Sequence, residues 1–408
     1  MWFWFVVEML HLNIFYSFNI KNKIMMQKLR LLTFFLLIGI TAFAQDQYLT
    51  AKSDDPEKTY ESKSSYAVKE FPQKFKKDKP KNIILLIGDG MGVSQVFAGL
   101  TANRGHLFLE NCQHIGFSKT QSADGYITDS AAGGTALSCG VKTYNGAIGV
   151  NVDGNPIKTI LEEASENGLA TGLVSSSAIT HATPASFIAH QAKRSSYEDI
   201  AADFLNTDID VFIGGGLDHF TKRKDGRDLT DELKQKGYDV ETDLKKIRKV
   251  KKGKLAGFTA DVHNGRIDER GDMLPVATET ALNILDNNKK GFFLMVEGSQ
   301  IDWGGHAGST IYIVEDMLDF DQVIGKALEF AAKDKETLIV VTADHETGGM
   351  AITGGDMQKG IVKAAYPTGD HTAVMVPIFS YGPGAEEFIG IMENTDIHAK
   401  MKKLLFAE

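Results

Sequence analysis

Five short, almost wholly apolar runs constrain the fold of this 408-residue chain more than any other feature. The runs lie at 82–87, 173–174, 211–213, 292–296 and 338–341. Helical patterns separate them, among them 156–167, 275–286 and 310–332. Apolar strands that alternate with helices predict an α/β fold, in which helices cover both faces of a large, mostly parallel sheet. Ligands of such sheets bind beyond the carboxyl ends of the strands.

The remainder of the chain predicts one domain over 81–408 with a small charged insertion. Residues 218–272 interrupt the alternation with a charge-dense stretch, which we interpret as a surface insertion. Its basic part, 245–252, fits a solvated face better than a nucleic-acid patch. The formal net charge of −9 also argues against a general nucleic-acid binder. Residues 45–80 are polar and lack periodicity, and they predict a surface linker or a loosely held arm.

The N-terminus reads as a targeting segment, 1–44. From residue 25 a basic start leads into a short apolar core and then Ala42-Phe43-Ala44, the pattern of a secretory signal peptide cut after Ala44. Residues 1–24 precede this complete signal, and we interpret them as the product of a misassigned start. The alternative is an uncleaved membrane anchor. We expect a periplasmic or secreted protein with no stable membrane partner.

The chain has two cysteines, Cys112 and Cys139. This number excludes a disulfide framework and a cysteine-based zinc cluster. Two partly buried free thiols are favoured over a single bridge between them.

Acidic and histidine residues collect where the predicted strands end. They are Asp89, His181 with Thr183, Glu297 with Asp302 and His306, Asp344 with His345, and Asp370 with His371. Carboxylate oxygens with imidazole nitrogens suit zinc, whereas oxygens alone suit magnesium. One histidine by itself is more often a structural residue, but five strand-end segments with such groups favour a site for more than one metal. The four-residue spacing of Asp302 and His306 allows both to reach one ion.

Ser130 is the candidate nucleophile. Small residues follow it in Thr-Asp-Ser-Ala-Ala-Gly-Gly, a pattern that predicts the start of a helix with Asp129 or Ser130 as its cap. A cap without chemistry is the alternative. A serine at this position also faces the positive end of the helix dipole, where a phosphate is stabilised, and metal activation would make its oxygen nucleophilic. The glycine-rich segment 88–92 lacks nucleotide-loop spacing, so we interpret it as a tight turn that presents Asp89.

From about residue 81 to the C-terminus the chain resembles the alkaline phosphatase family. The resemblance rests on six segments in the family's order: Ile-Gly-Asp-Gly-Met-Gly (87–92), Thr-Asp-Ser-Ala-Ala (128–132), Thr-His-Ala-Thr-Pro-Ala (180–185), Val-Glu-Gly-Ser-Gln-Ile-Asp-Trp-Gly-Gly-His (296–306), Thr-Ala-Asp-His-Glu-Thr-Gly-Gly (342–349) and His-Thr (371–372) before Tyr-Gly-Pro-Gly (381–384).

The resemblance implies a phosphomonoesterase with two zinc ions and one magnesium ion. It implies the first zinc site from Asp302, His306 and His371, the second from Asp344, His345 and Asp89, and the magnesium site from Asp89, Thr183 and Glu297. Ser130 matches the nucleophile that forms a phosphoserine, and Arg194 matches the phosphate-binding arginine. The substrates would be small phosphate monoesters, and a homodimer is the assembly the family often forms.

Two positions depart from the enterobacterial pattern, because His181 and Trp303 stand where those members carry Asp and Lys. His181 could hold a magnesium-bound water or ligate the third metal directly. A sulfatase is a rival, but it requires Cys or Ser before x-Pro-x-Arg, and Ser130 precedes Ala-Ala-Gly. A phosphodiesterase of the same superfamily and a periplasmic binding protein without turnover are the other rivals.

Overall fold

The computed structural model describes residues 55–406. The predicted signal peptide at 25–44 and the segment 1–24 lie outside these residues. Within them, no helix combines the length and the apolar character that crossing a bilayer requires.

A ten-stranded sheet forms the centre of the molecule, with the strand order β15-β3-β14-β9-β2-β8-β4-β5-β7-β6. In chain order its strands are β2 (Asn82–Gly88), β3 (His114–Lys119), β4 (Ala170–Ala178), β5 (Val211–Gly215), β6 (Tyr238–Glu241), β7 (Lys254–Ala260), β8 (Phe292–Gly298), β9 (Thr337–Thr342), β14 (Val376–Tyr381) and β15 (Gly390–Glu393). The five predicted apolar runs are five adjacent strands, β9-β2-β8-β4-β5, and all of them are parallel. Strand β14 is antiparallel to both of its neighbours. The prediction of a mostly parallel sheet is confirmed.

Two smaller sheets lie beside the central one. The first joins β1 (Thr59–Glu61), β12 (Ile361–Ala365) and β11 (Ala351–Asp356), and the second pairs β10 (Glu346–Thr347) with β13 (His371–Thr372). In the second sheet Thr347 lies opposite His371, so this short pair brings two distant parts of the chain to the sheet edge.

Helices cover both faces of the central sheet. They are α1 (Val93–Ala102), α2 (Ser130–Cys139), α3 (Ile160–Glu166), α4 (Ala182–Ala185), α5 (Tyr197–Asp203), α6 (Leu217–Thr221), α7 (Leu229–Gln235), α8 (Leu244–Ile247), α9 (Ile267–Arg270), α10 (Met273–Leu285), α11 (Gln300–Ala307), α12 (Thr310–Asp334) and α13 (Asn394–Phe406). Side chains of β2 alternate between two cores: Ile84 and Leu86 pack on one face, and Ile83, Leu85 and Ile87 on the other. Burial on both faces explains why the central strands are continuous apolar runs.

The predicted helices at 275–286 and 310–332 correspond to α10 and α12. The predicted start at residue 156 was wrong, because α3 begins only at Ile160. Thr159 caps it by accepting from the backbone of Glu162, and the Glu162 side chain accepts from the Thr159 backbone in return. This reciprocal capping box fixes the helix start more strongly than a proline in the preceding loop.

Two segments differ from their prediction. The charged segment 218–272 is not a surface insertion apart from the sheet, because it supplies two parallel strands, the edge strand β6 and its neighbour β7. In α8 the side chains of Lys245 and Lys246 are exposed to solvent, while Ile247 of the same helix is buried. Residues 55–80 do not form a loose linker either: Phe71 is buried, and the Tyr381 hydroxyl donates to the carbonyl of Pro72 at 2.7 Å. The buried Phe71 side chain and the hydrogen bond between Tyr381 and Pro72 attach this segment to the rest of the domain. Cys112 and Cys139 are both free and buried, as predicted.

Candidate active site

Three neighbouring strands bring the predicted acids to one sheet edge. Asp89 follows β2 directly, and its backbone N–H donates to Gly298 at the end of β8 at 3.1 Å. Glu297 lies in β8, in register with Ile87 of β2. Asp344 follows β9 two residues after the strand ends. Asp89, Glu297 and Asp344 are fully buried, although the first two are far apart in sequence.

The first group of potential metal ligands consists of Asp302, His306 and His371. The two Nε2 atoms of the histidines lie 3.2 Å apart. His306 Nε2 is 3.4 Å from one oxygen of Asp302, and His371 Nε2 is 3.5 Å from the other. Two imidazoles and a carboxylate that converge in this way match zinc coordination.

Hydrogen bonds to the opposite ring nitrogens orient these histidines. His306 Nδ1 donates to the carbonyl of Gly369 at 2.6 Å, and His371 Nδ1 donates to the carbonyl of Thr128 at 2.9 Å. A carbonyl can only accept, so each Nδ1 carries the proton and each Nε2 keeps a free lone pair. This is the usual support of a metal-bound histidine.

The second group consists of Asp89, His345 and Asp344. His345 Nε2 lies 3.4 Å from an oxygen of Asp89 and 3.4 Å from an oxygen of Asp344. Asp302 also approaches this group, which therefore adjoins the first. All three residues are fully buried, so an ion between them would be shielded from bulk water.

The third group combines Asp89 and Glu297 with His181 and with Thr183 of the short helix α4. Five buried side-chain atoms here lack a hydrogen-bond partner within the protein. They are both carboxylate oxygens of Asp89, Oε1 of Glu297, Oγ1 of Thr183 and Nδ1 of His181. Buried polar atoms are almost always paired, so this concentration of unpaired donor and acceptor atoms fits a metal site. Oxygen-rich groups of this kind suit magnesium.

Ser130 is the first residue of α2 and is almost fully buried. Asp129 caps the helix by accepting from the backbone of Ala132 at 3.0 Å, which leaves the Ser130 side chain free of the capping role. Ser130 Oγ lies 3.2 Å from His345 Nε2, the atom that faces Asp89 and Asp344. Of the two predicted caps, Asp129 is therefore the one that caps the helix.

Arg194 lies beside the serine. Its Nη1 donates to Asp129 at 3.0 Å, and its Nη2 donates to Nε2 of His181 at 3.4 Å. The Arg194 side chain is partly exposed, at 29%, so it borders the opening of the site. A fork in this position can bind two oxygens of a phosphate at once.

Electrostatics favour bound cations at this edge. Burial, and then the neighbouring carboxylate of Asp344, raise the pKa of Asp89 well above its usual range. Burial likewise raises the pKa of Glu297 to about 7, against hydrogen bonds from Ser175 and Ser299 that lower it. Such carboxylates are costly to ionise without a partner, and divalent ions would supply one.

The sequence analysis did not predict several residues of the site. The Thr347 hydroxyl donates to Asp302 and accepts from Nδ1 of His345, so it links the first two groups. Ser175 Oγ donates to Glu297 at 2.6 Å. His263 packs against His181 and Trp303, and the latter two rings are 6.2 Å apart. Thr347 lies in the family segment 342–349, so its position there could have identified it as a site residue. Asp370 is exposed and belongs to none of the three groups found among the described residues.

Comparisons with known proteins agree with this geometry. The family model described as alkaline phosphatase matches residues 80–366. Alkaline phosphatase 4 of Bacillus subtilis is 36% identical, with 79% of this chain and 88% of the relative covered. Alkaline phosphatase of Escherichia coli is 32% identical, with 80% and 87% covered.

Among solved structures, alkaline phosphatase from the Antarctic bacterium TAB5 is similar with a TM-score of 0.76 and 44% identity, covering 80% of this chain and 98% of its own. A variant of that enzyme, with aspartate in place of a histidine, has Mg bound in its M3 site. The range matched by the family model includes Ser130 and every residue of the three ligand groups except His371. The chain belongs to the alkaline phosphatase family.

Proposed function

We propose that Ser130 is the nucleophile of this enzyme and that Arg194 binds the phosphoryl group. Family membership makes the chain a phosphoric monoester hydrolase that uses zinc and magnesium. The assignment to Ser130 rests on the position of its Oγ, which is buried at a helix N-terminus and lies 3.2 Å from Nε2 of His345 in the second ligand group.

The metal ligands are proposed in three sets. The first zinc ion is held by Asp302, His306 and His371, the second by Asp89, Asp344 and His345, and the magnesium ion by Asp89, Thr183 and Glu297. Asp89 is shared, since both its oxygens lack a partner. When bound, these ions lower the pKa of a ligated hydroxyl and offset negative charge on the phosphoryl and leaving oxygens. His181 and Trp303 border the third site.

Ser130 Oγ attacks phosphorus as the P–O bond to the alcohol breaks, and the product is a phosphoserine. Asp129 fixes the start of α2 and positions Arg194, so the guanidinium reaches the phosphoryl oxygens from a prepared geometry. This pre-organisation stabilises charge that develops in the loose, in-line transition state. Water then attacks the phosphoserine, which releases inorganic phosphate and restores the Ser130 hydroxyl.

The substrates are proposed to be small phosphate monoesters in general. The assigned residues contact the phosphoryl group rather than the alcohol, so we expect broad specificity. Export to the periplasm or the medium, with the signal peptide at 25–44 removed, rests on the sequence pattern. A homodimer is the proposed assembly, by analogy with the family. The catalytic domain is proposed to extend from residue 81 to the C-terminus.

Hydrolysis of p-nitrophenyl phosphate by Ser130→Ala tests the nucleophile. We expect kcat to fall by about 10⁴-fold or more, because the covalent route is lost. Zinc and magnesium contents, measured by plasma emission, should match the parent protein. The matched control is Ser138→Ala in the same buried helix, whose hydroxyl donates to Ser186 at 2.6 Å; its kcat should change less than about threefold, consistent with a stability effect alone. A Ser130→Ala protein with full metal content and parental kcat contradicts the proposal.

A further inference from the structure

Three rings form a compact cluster beside the third ligand group. The centroids of His181 and His263 lie 5.5 Å apart, and those of His263 and Trp303 lie 5.1 Å apart. The planes are nearly perpendicular in every pair, at 85° to 89°. Edge-to-face packing fixes the direction of each ring more closely than simple burial does. The direction of the His181 ring therefore depends on His263.

His263 is attached to the strand that leads into the third site. Its Nδ1 accepts from the backbone N–H of Ala178, the last residue of β4, at 3.1 Å. A backbone N–H can only donate, so Nδ1 has the lone pair and the neutral ring carries its proton on Nε2. His263 therefore spans from the end of β4 to the rings of His181 and Trp303.

Gln300 anchors the loop that carries His263. Its Nε2 donates to the carbonyls of Ser176 at 3.1 Å and of Asn264 at 3.0 Å. Its Oε1 accepts from the Tyr312 hydroxyl at 2.7 Å and from Arg270 Nη1 at 3.3 Å. Acceptors on one side and donors on the other allow only one orientation of the amide. Gln300 is also the first residue of α11, the helix with Asp302 and Trp303.

Arg270 links Gln300 to the long helix α12. Its Nη2 donates to Asp316 at 2.6 Å and to Asp319 at 2.8 Å, and its side chain is only 2% exposed. Both carboxylates belong to α12. The guanidinium fork thus joins α12 to Gln300, and through Gln300 to the loop of His263.

We propose that His263 is a positioning residue for the third metal site and that the Gln300–Arg270 anchor sets its position. The inference rests on the proposed function, because it assumes that a magnesium ion binds near Asp89, Glu297 and Thr183. His263 makes no bond to the ion in this arrangement. It acts by orienting His181, whose unpartnered Nδ1 belongs to the third group, and Trp303.

Trp303 offers a direct probe of this site. The sequence has three tryptophans, at positions 2, 4 and 303. In the full chain with Trp2→Phe and Trp4→Phe, fluorescence comes from Trp303 alone, so titration of the zinc-loaded protein with Mg²⁺ reports binding without any activity assay. In this parent protein we expect a saturable change in Trp303 emission.

His263→Ala in that parent is the decisive variant. We expect its Mg²⁺ dissociation constant to rise about tenfold, which is the size of effect typical of mutations in residues that orient metal ligands without binding the metal. His263→Phe retains an aromatic ring but loses both ring nitrogens, including the acceptor for Ala178, so it should recover part of the affinity. Zinc content should stay at the parental value in both. Mg²⁺ affinity of His263→Ala within twofold of the parent overturns the inference.

Gln300→Glu tests the anchor independently of the ring. A carboxylate retains the acceptors for Arg270 and Tyr312 but faces the carbonyls of Ser176 and Asn264 without a hydrogen to donate. We expect a similar loss of Mg²⁺ affinity, whereas the control Lys326→Gln, which removes a half-exposed ion pair with Glu279, should bind Mg²⁺ as the parent does. Parental affinity in Gln300→Glu removes the anchor from the proposal.

The same titration separates the two levels of inference. A parent protein whose emission does not respond to Mg²⁺ contradicts the third-site assignment, and the inference fails with it. A parent that responds, with unchanged affinity in His263→Ala, contradicts the inference alone. If His263→Ala does not fold, as judged by circular dichroism, His263→Phe and Gln300→Glu decide between these outcomes.

Discussion

The metal centre and the long helix α12 both bury acidic side chains, and they balance them by different means. On α12, Asp316 and Asp319 bind the guanidinium of Arg270. Asp321, five residues after Asp316, instead accepts from two backbone N–H groups and from the Tyr66 hydroxyl, the latter at 2.6 Å. In this region the chain itself supplies the positive charge or the hydrogens, although one oxygen of Asp316 accepts none.

At the metal centre the chain supplies far less. Both oxygens of Asp89 and one oxygen each of Glu297 and Asp344 accept no hydrogen bond from the protein. Ionised carboxylates in such surroundings are costly unless a cation pairs with them. Buried acids with internal partners therefore indicate structure, whereas buried acids whose free atoms converge with histidine nitrogens indicate a site completed by ions from solution.

Asp89→Asn should give the largest effect and separates the two regions most sharply. It removes the ligand that we propose is shared by two sites, so we expect kcat/KM to fall about 10⁴-fold, since several kcal/mol of transition-state stabilisation is lost. In chelator-treated protein the same change should raise the free energy of unfolding by about 1–3 kcal/mol, because an unpaired buried carboxylate disappears. Activity assays and calorimetry with and without EDTA measure both.

Asp319→Asn on α12 is the matched control for that variant. At saturating Mg²⁺, where a weaker Mg²⁺ affinity through Arg270 has no effect, it should leave kcat/KM within a fewfold of the parent and lower the unfolding temperature, the reverse of Asp89→Asn in the chelated state. If Asp89→Asn destabilises the chelated protein as much as Asp319→Asn does, the two regions bury their acids in the same way and the contrast fails.

Arg270→Met should give the next largest effect. It leaves two buried carboxylates without their cation, and we expect the free energy of unfolding to fall by about 3–5 kcal/mol. Urea unfolding at fixed zinc and magnesium concentrations measures this, and added metal should not restore the loss. The triple variant Arg270→Met/Asp316→Leu/Asp319→Leu should recover most of it, because apolar side chains of similar volume can replace a buried ion cluster. No recovery in the triple variant would mean that packing, rather than charge, dominates here.

The sequence predicted the central strands and the grouping of the candidate metal ligands for related reasons. Strands buried on both faces are continuous apolar runs, and β9, β2, β8, β4 and β5 are of this kind. The ligands follow those strands, so alignment of the strands also aligns the ligands. The edge strands β6 and β15, and β7 next to β6, have exposed or charged positions within or beside them, which is why the predicted insertion at 218–272 was wrong.

Residues that support the ligands could not be predicted in this way. His263 follows β7, the strand next to the sheet edge, and reaches the site only because β7 lies two strands from β4. Arg270 and Asp316 meet through the packing of a loop on a helix, and no local pattern records that contact. Thr347 has an ordinary hydroxyl whose role depends on its two partners, Asp302 and His345. Candidate ligands that directly follow strands can be recognised in the sequence, whereas the residues that contact and orient those ligands depend on tertiary packing.

Asp321 gives the smallest predicted effect, a change in the pH dependence of stability. Burial raises the pKa of this carboxyl to about 6, against hydrogen bonds from Tyr66, Phe108 and Leu109 that lower it. An acid with a raised folded pKa stabilises the fold most below its unfolded pKa of about 4, and this contribution is lost as pH rises through 6. Asp321→Asn cannot titrate, so the free energy of unfolding should fall less steeply between pH 4.5 and 6.5, by at most about 1.4 kcal/mol per pH unit.

Urea unfolding of the chelated proteins at several pH values measures this difference, since the acids of the metal centre titrate equally in parent and variant. Glu329→Gln, an exposed carboxylate of the same helix, controls for the loss of one charge. Parallel pH profiles for parent and Asp321→Asn would mean that two N–H groups and one hydroxyl balance the buried charge completely. Neutral donors would then suffice on α12 where the metal centre requires divalent ions, and the contrast between the two regions would depend on donor number rather than on cations.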